Sequence, residues 1–70
     1  MNITRTQITG NLIRARKITG AWWLIYQLKN PDKPDFVGNR AAIDMVPGKN
    51  AAIDYVQSLD EGSEGDELDG

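Results

Sequence analysis

Seventy residues allow one small domain, and a chain of this size buries only about 60% of the surface its unfolded form exposes, so its core is small. There is no cysteine and no histidine, which excludes disulfides, thiolate metal sites and the commonest general base. The net charge of −2 is unevenly placed: residues 1–59 hold all eight lysines and arginines and four acids, a net +4, whereas residues 60–70 hold six acids.

Residues 3–9 (ITRTQIT) are rich in β-branched side chains and read as a strand. Gly10 and Asn11 then turn the chain. Residues 12–17 (LIRARK) fit a strand, with a helix through Ile8, Leu12 and Ala15 as the alternative. Thr19-Gly20 is a hairpin turn. Residues 21–28 form the most strand-like segment, and because both of its faces are apolar it is expected to be the central strand. Pro31 and Pro34 mark a loop, after which Phe36-Val37 is expected to return as a short edge strand.

An internal echo follows. Residues 41–46 read AAIDMV and residues 51–56 read AAIDYV, separated by Pro47-Gly48. The second copy predicts a helix over 50–59, capped by Asn50 and striped by Ala52, Ile53, Val56 and Leu59. The first predicts a short helix stopped at Pro47, with a strand as the alternative because a pre-proline valine avoids helical geometry. Residues 60–70 hold one apolar residue among acids, glycines and a serine. They bury too little surface to offset ordering entropy, and a disordered acidic tail is expected.

The fold class is therefore α+β: a two- or three-stranded antiparallel sheet over about 3–9, 12–17 and 21–28, packed on a C-terminal helix. Ile25, Leu24, one tryptophan, Ile53, Val56 and Leu59 are the expected core. An all-α arrangement is the alternative. Residues 12–20, LIRARKITG, resemble the first helix of phage-repressor-type helix-turn-helix domains, although Trp22-Trp23-Leu24-Ile25 departs from the polar start of their second helix. In outline, residues 22–59 are similar to the sheet-plus-helix arm-binding domains of tyrosine recombinases. Both resemblances imply DNA binding, and neither rests on a motif specific enough to assign a family.

No arrangement of residues points to catalysis. Asp44 and Asp54 occupy matching positions of the echo and read as solvated surface acids. The acidic tail lacks the ordered spacing of a calcium loop, and Gly38-Asn39-Arg40 and Pro47-Gly48-Lys49 lack the glycines of a phosphate loop. No metal and no cofactor is implied. The informative constellation is basic and aromatic: Arg14, Arg16 and Lys17 precede Trp22, Trp23 and Tyr26 across a hairpin turn. Cations beside aromatics track phosphates and stack on bases. Strand neighbours face opposite sides, so one tryptophan points inward and the other outward.

The expected function is a non-enzymatic nucleic-acid-binding regulatory or accessory factor, of the kind phages and mobile elements encode. Its expected contacts are Arg5, Arg14, Arg16, Lys17, Trp22, Arg40 and Lys49. A protein-interaction module or inhibitor using the aromatic strand is the alternative, and a homo-oligomer hiding a tryptophan is a third. The N-terminus lacks the apolar core of a secretory signal, and the longest apolar run, residues 21–26, falls far short of the roughly 20 residues that span a bilayer. A cytoplasmic protein is expected.

Overall fold

The computed structural model describes residues 1–60 with their side chains and residues 61–69 as the backbone continuation of a helix. It is an antiparallel meander carrying one helix. The strands are β1 (Asn2–Ile3), β2 (Gln7–Thr9), β3 (Ile13–Thr19), β4 (Trp22–Leu28) and β5 (Arg40–Pro47), followed by α1 (Lys49–Asp69). The five strands lie side by side in chain order, each antiparallel to the next. The class is α+β as the sequence implies, with five strands in place of two or three. Strand β3 covers the residues that the all-α alternative makes helical, so that alternative fails.

Local chemistry sets the turns. The expected strand over 3–9 is broken in two, because the Thr4 hydroxyl accepts from the Gln7 amide (3.1 Å) and the Thr4 amide donates to the Gln7 carbonyl (2.8 Å). This side-chain turn folds β1 back onto β2. A two-residue loop, Asn11-Leu12, joins β2 to β3, closed by the Gly10 amide on the Ile13 carbonyl (3.0 Å). Thr19 pairs with Trp22 across the β3–β4 turn. Gly20 there has φ +54°, the left-handed geometry that a tight hairpin asks of its first loop residue.

Strand β4 is interior but lies fourth of five, so the central position falls to β3. Residues 37–39 form a 3₁₀ turn rather than an edge strand. Residues 41–46 are strand, not helix: they lie along β4, with Ala41 opposite Gln27 and Met45 opposite Leu24. The two copies of the echo thus adopt different structures, because β4 offers the first a backbone partner and the second follows Gly48. Gly48 (φ +93°) turns the chain, and its carbonyl accepts from the Ala52 amide (3.1 Å). It therefore occupies the cap position, and Asn50 lies inside the first helical turn.

One face of the sheet carries the core. Ile8, Ile13, Ala15, Trp23 and Ile25 are buried against Ala52 and Val56 of α1, with Ile53, Tyr55 and Val46 packed around them. Trp23 is the inward tryptophan. Leu24 points to the opposite face and is half-buried, and Leu59 is exposed, so neither joins the core. Position 60 takes the place expected of Leu59, since Ala52, Val56 and Asp60 stand at i, i+4 and i+8 on one helical line. Both Asp60 oxygens accept backbone amides from the β2–β3 turn: Asn11 (2.7 Å), Leu12 (3.1 Å) and Ile13 (2.9 Å). Asp60 therefore belongs by contact to the body. α1 runs on to Asp69, ten residues beyond the end expected near Leu59; the expected acidic tail over 61–70 otherwise lies outside the residues described with their side chains.

Candidate nucleic-acid interface

Cross-strand pairing brings the cations and the rings together as the sequence implies. Arg14 faces Tyr26, Arg16 faces Leu24, Lys17 faces Trp23, and Thr19 faces Trp22. Alternation along the strands then sets Lys17 on the face toward α1 and Arg14, Arg16, Trp22 and Arg40 on the other, while Arg5 and Lys49 lie off the strands, in the β1–β2 turn and at the start of α1.

The face away from α1 holds Arg14, Arg16, Trp22 and Arg40. Two of these cations are already engaged. Asp35, brought over the sheet by the 29–39 loop, accepts from Arg40 Nε (2.7 Å) and lies 3.3 Å from Arg14 Nη1. It also accepts from the Tyr26 hydroxyl, which in turn accepts from Gln7 Nε2 (2.9 Å). Arg40 sits over the Tyr26 ring, 5.1 Å from its centroid, a cation–π contact. Burial alone would raise the Asp35 pKa; the Tyr26 hydroxyl, Arg40 and Arg14 outweigh it and hold the carboxyl below its ordinary value. Burial, and next the Asp35 hydrogen bond, push the Tyr26 hydroxyl up. Tyr26 is fully buried under this network and offers no stacking surface.

The loop that delivers Asp35 is built around Asn39, which is buried. Its side-chain amide donates to the carbonyls of Asn30 (3.1 Å) and Pro34 (3.0 Å), and its oxygen accepts from the Asn30 amide (3.0 Å). Nothing local in the sequence reveals this role, since the partners become neighbours only once β4 and β5 have paired. Asp35 is missed for the same reason. Asp60 was legible in principle from its line with Ala52 and Val56.

Arg16 and Trp22 remain accessible on that face. Arg16 is exposed and donates only to Gln7 Oε1 (3.1 Å) among the described residues. Trp22 is 45% exposed.

The other three cations converge on the helix side, at the end of the sheet that bears the β3–β4 turn. Two backbone bonds assemble this end. The Lys17 amide donates to the Thr6 carbonyl (3.0 Å), drawing the turn that carries Arg5 against β3. The Gly48 amide donates to the Ala21 carbonyl (2.6 Å), setting the start of α1, and Lys49 with it, beside the hairpin. Arg5, Lys17 and Lys49 thereby line one shallow concavity of about 410 Å³, together with Trp23 and the turn residues Gly20, Ala21 and Gly48. No carboxylate lines it, and no ion pair engages any of the three among the described residues.

No protein family, no characterised protein and no solved structure matches this chain. The concavity could hold an anion: it gathers positive charge from three separate elements in a hollow open to solvent. No group of three or more acidic residues is placed to hold a metal ion, and no helix is long and apolar enough to cross a membrane, among the described residues.

A second concavity, about 540 Å³ and more open, runs between β5 and α1 and is lined by Val46, Pro47, Ala51, Asp54, Tyr55, Ser58 and Leu59. Strand β5 beside it is a blunted edge. Its register is broken where Ile25 and Tyr26 face Asp44 and Ala42. The Met45 amide donates to Asp44 Oδ1 (2.7 Å), and Pro47 ends the strand. Bulges, charges and prolines of this kind discourage a further strand from pairing. The aromatic strand β4 has no edge to offer, since β3 and β5 pair with it on both sides.

Proposed function

We propose that this protein is a non-enzymatic binding module for nucleic acid that engages the phosphate backbone through Arg5, Lys17 and Lys49. The observation that carries the reading is the convergence of these three cations, from the β1–β2 turn, β3 and the start of α1, on one concavity that no carboxylate lines among the described residues. Phosphate contacts supply most of the sequence-independent affinity of such proteins. Arg16 and Trp22, around the same end of the sheet, add a fourth cation and a ring. Arg14 and Arg40, also expected as contacts, already pair with Asp35, so the proposed phosphate contacts do not include them.

The test is a salt-dependent titration of the full chain with fluorescently labelled oligonucleotides. Three phosphate contacts give a slope of log K against log salt of about −2 to −3. Lys17→Ala/Lys49→Ala should flatten that slope by about 1.4 to 1.8, whereas Lys33→Ala, in the distant loop, should leave it unchanged. Affinity weaker than about 10⁻⁴ M at physiological salt, the weak end of non-specific binding, would sink the proposal.

The second reading is a protein-interaction module. It is favoured by the apolar groove between β5 and α1, not by the aromatic strand, and it requires a partner that fills a groove rather than one that adds a strand.

A further inference from the structure

The two halves of the basic end lie on opposite faces of the sheet. Arg5, Lys17 and Lys49 surround the concavity on the helix side. Trp22, whose neighbour Trp23 is the inward ring, projects on the other face, where its cross-strand partners are Thr19 and Pro47. Arg16 is on that same face, opposite Leu24 and so one diagonal step from Trp22. What separates the two halves is the β3–β4 turn, and the turn is bare: a Cβ built on Gly20 would meet nothing within 4 Å, and the same holds for Gly48 beside it.

A duplex is a stiff rod with its bases stacked inside. Laid on the concavity it reaches one face of the sheet, and it presents no base plane to Trp22. A single strand bends at every phosphate and exposes its bases. It can lie in the concavity, round the glycine turn and stack a base on the indole beyond.

We infer that the ligand of this site is single-stranded nucleic acid, held by its phosphates on Arg5, Lys17 and Lys49 and by one base stacked on Trp22, with Arg16 against the next phosphate. The inference rests on the nucleic-acid reading above and specifies its partner. The charge of the concavity matches a polyanion, and the sequence-tolerant contact between indole and base sets no requirement for a particular base.

The experiment compares a short single-stranded oligothymidylate with the same strand annealed to its complement, each titrated into the full chain over the same series of salt concentrations. Single-strand binding at least about tenfold tighter than duplex binding is expected. Stacking should quench the emission of Trp22, so Trp22→Ala, which leaves Trp23 as the one emitting indole, should remove most of the quench. The same variant should weaken single-strand binding by about 5- to 100-fold with an unchanged salt slope, and Trp22→Phe should recover much of the loss because it keeps a ring. Near-ultraviolet circular dichroism of Trp23 verifies that the variants fold. Duplex binding as tight as single-strand binding, or a Trp22→Ala variant of unaltered affinity, overturns this inference and leaves the phosphate contacts standing. Failure of both nucleic acids to bind overturns the inference together with the reading beneath it.

Discussion

Three consecutive backbone amides, those of Asn11, Leu12 and Ile13, converge on one carboxylate, that of Asp60. The amides point into the turn because Asn11 and Leu12 are its two loop residues, and the turn closes tightly because position 10 has no side chain. A Cβ on Gly10 would lie 1.8 Å from Asp60 Oδ2 and 2.7 Å from the Ile13 carbonyl. The glycine is therefore a packing requirement of the carboxylate. Asp60→Ala should cost about 1–2 kcal/mol, less than three buried charge-assisted bonds because water replaces part of what is lost. Asp60→Asn, which keeps one acceptor oxygen, should cost about half as much. Gly10→Ala should be at least as damaging, since it evicts the carboxylate and also crowds the Ile13 carbonyl. The two effects overlap, so the Gly10→Ala/Asp60→Ala double variant should be more stable than the summed losses imply. Urea unfolding of the unsubstituted protein and the four variants checks all of this, and strict additivity would mean that the two residues do not act on one contact.

At the scale of elements, the 29–39 loop is held from both ends. Asn39 ties its backbone together from inside, and Asp35 fastens its tip to Tyr26, Arg14 and Arg40 on the sheet. Asn39→Ala removes a buried amide and leaves the Asn30 and Pro34 carbonyls without their donor. A loss of about 2–4 kcal/mol is expected in urea unfolding. The Asp35 fastening depends on pH. Its folded-state pKa is depressed, so the stability it contributes is present at neutral pH and is lost as pH falls through that depressed value. Tyr26 has the opposite sign: its folded-state pKa is raised, so its contribution holds at neutral pH and disappears on the alkaline side of the ordinary tyrosine range. Asp35→Asn should lower the urea midpoint at neutral pH and flatten the acid limb of the midpoint-against-pH profile. An acid limb identical in the two proteins would show that Asp35 is not linked to folding.

This loop also marks the border of what the sequence discloses. Strands β3 and β4 and the start of the helix are legible because branched, aromatic and alanine-rich segments carry their own preferences. The division of 3–9 into two strands turns on one threonine hydroxyl. The echo shows the limit most directly: residues 41–46 and 51–56 differ only at Met45 and Tyr55, yet one copy is strand and the other helix. Neighbours decide there, because β4 lies beside the first copy and the turn at Gly48 precedes the second. The site divides in the same way. The cations and the tryptophan are visible as residues, but which of them share a face depends on strand alternation combined with register. Lys17 and Arg16 are adjacent in sequence and lie on opposite sides of the sheet.

Across the whole molecule, the two ends of the sheet differ in how their cations are engaged, since Arg14 and Arg40 at one end pair with Asp35. Arg5, Lys17 and Lys49 gather at the end with the β3–β4 turn. Asp35 and Asp60 are fixed toward the other end, by the 29–39 loop and the β2–β3 turn. The sequence continues past Asp60 with five more acids in residues 61–70. They bring the net charge to −2, whereas residues 1–60 alone carry +3. A negative segment on the same chain lowers the attraction of the whole protein for a polyanion, and salt screens that effect over about 8–10 Å. Removing residues 61–70 should therefore tighten oligonucleotide binding several-fold at low salt. The difference should shrink as salt rises, and the unfolding midpoint should hardly move. Removing one residue more should behave differently, because it deletes the carboxylate that holds the β2–β3 turn. The 1–59 chain should lose about 1–2 kcal/mol of stability relative to 1–60, with little further gain in affinity. Parallel salt titrations and urea curves on the full chain, 1–60 and 1–59 separate the two roles. Equal stability of 1–60 and 1–59 would remove Asp60 from the fold, and equal low-salt affinity of 1–60 and the full chain would remove the acidic segment from the control of binding.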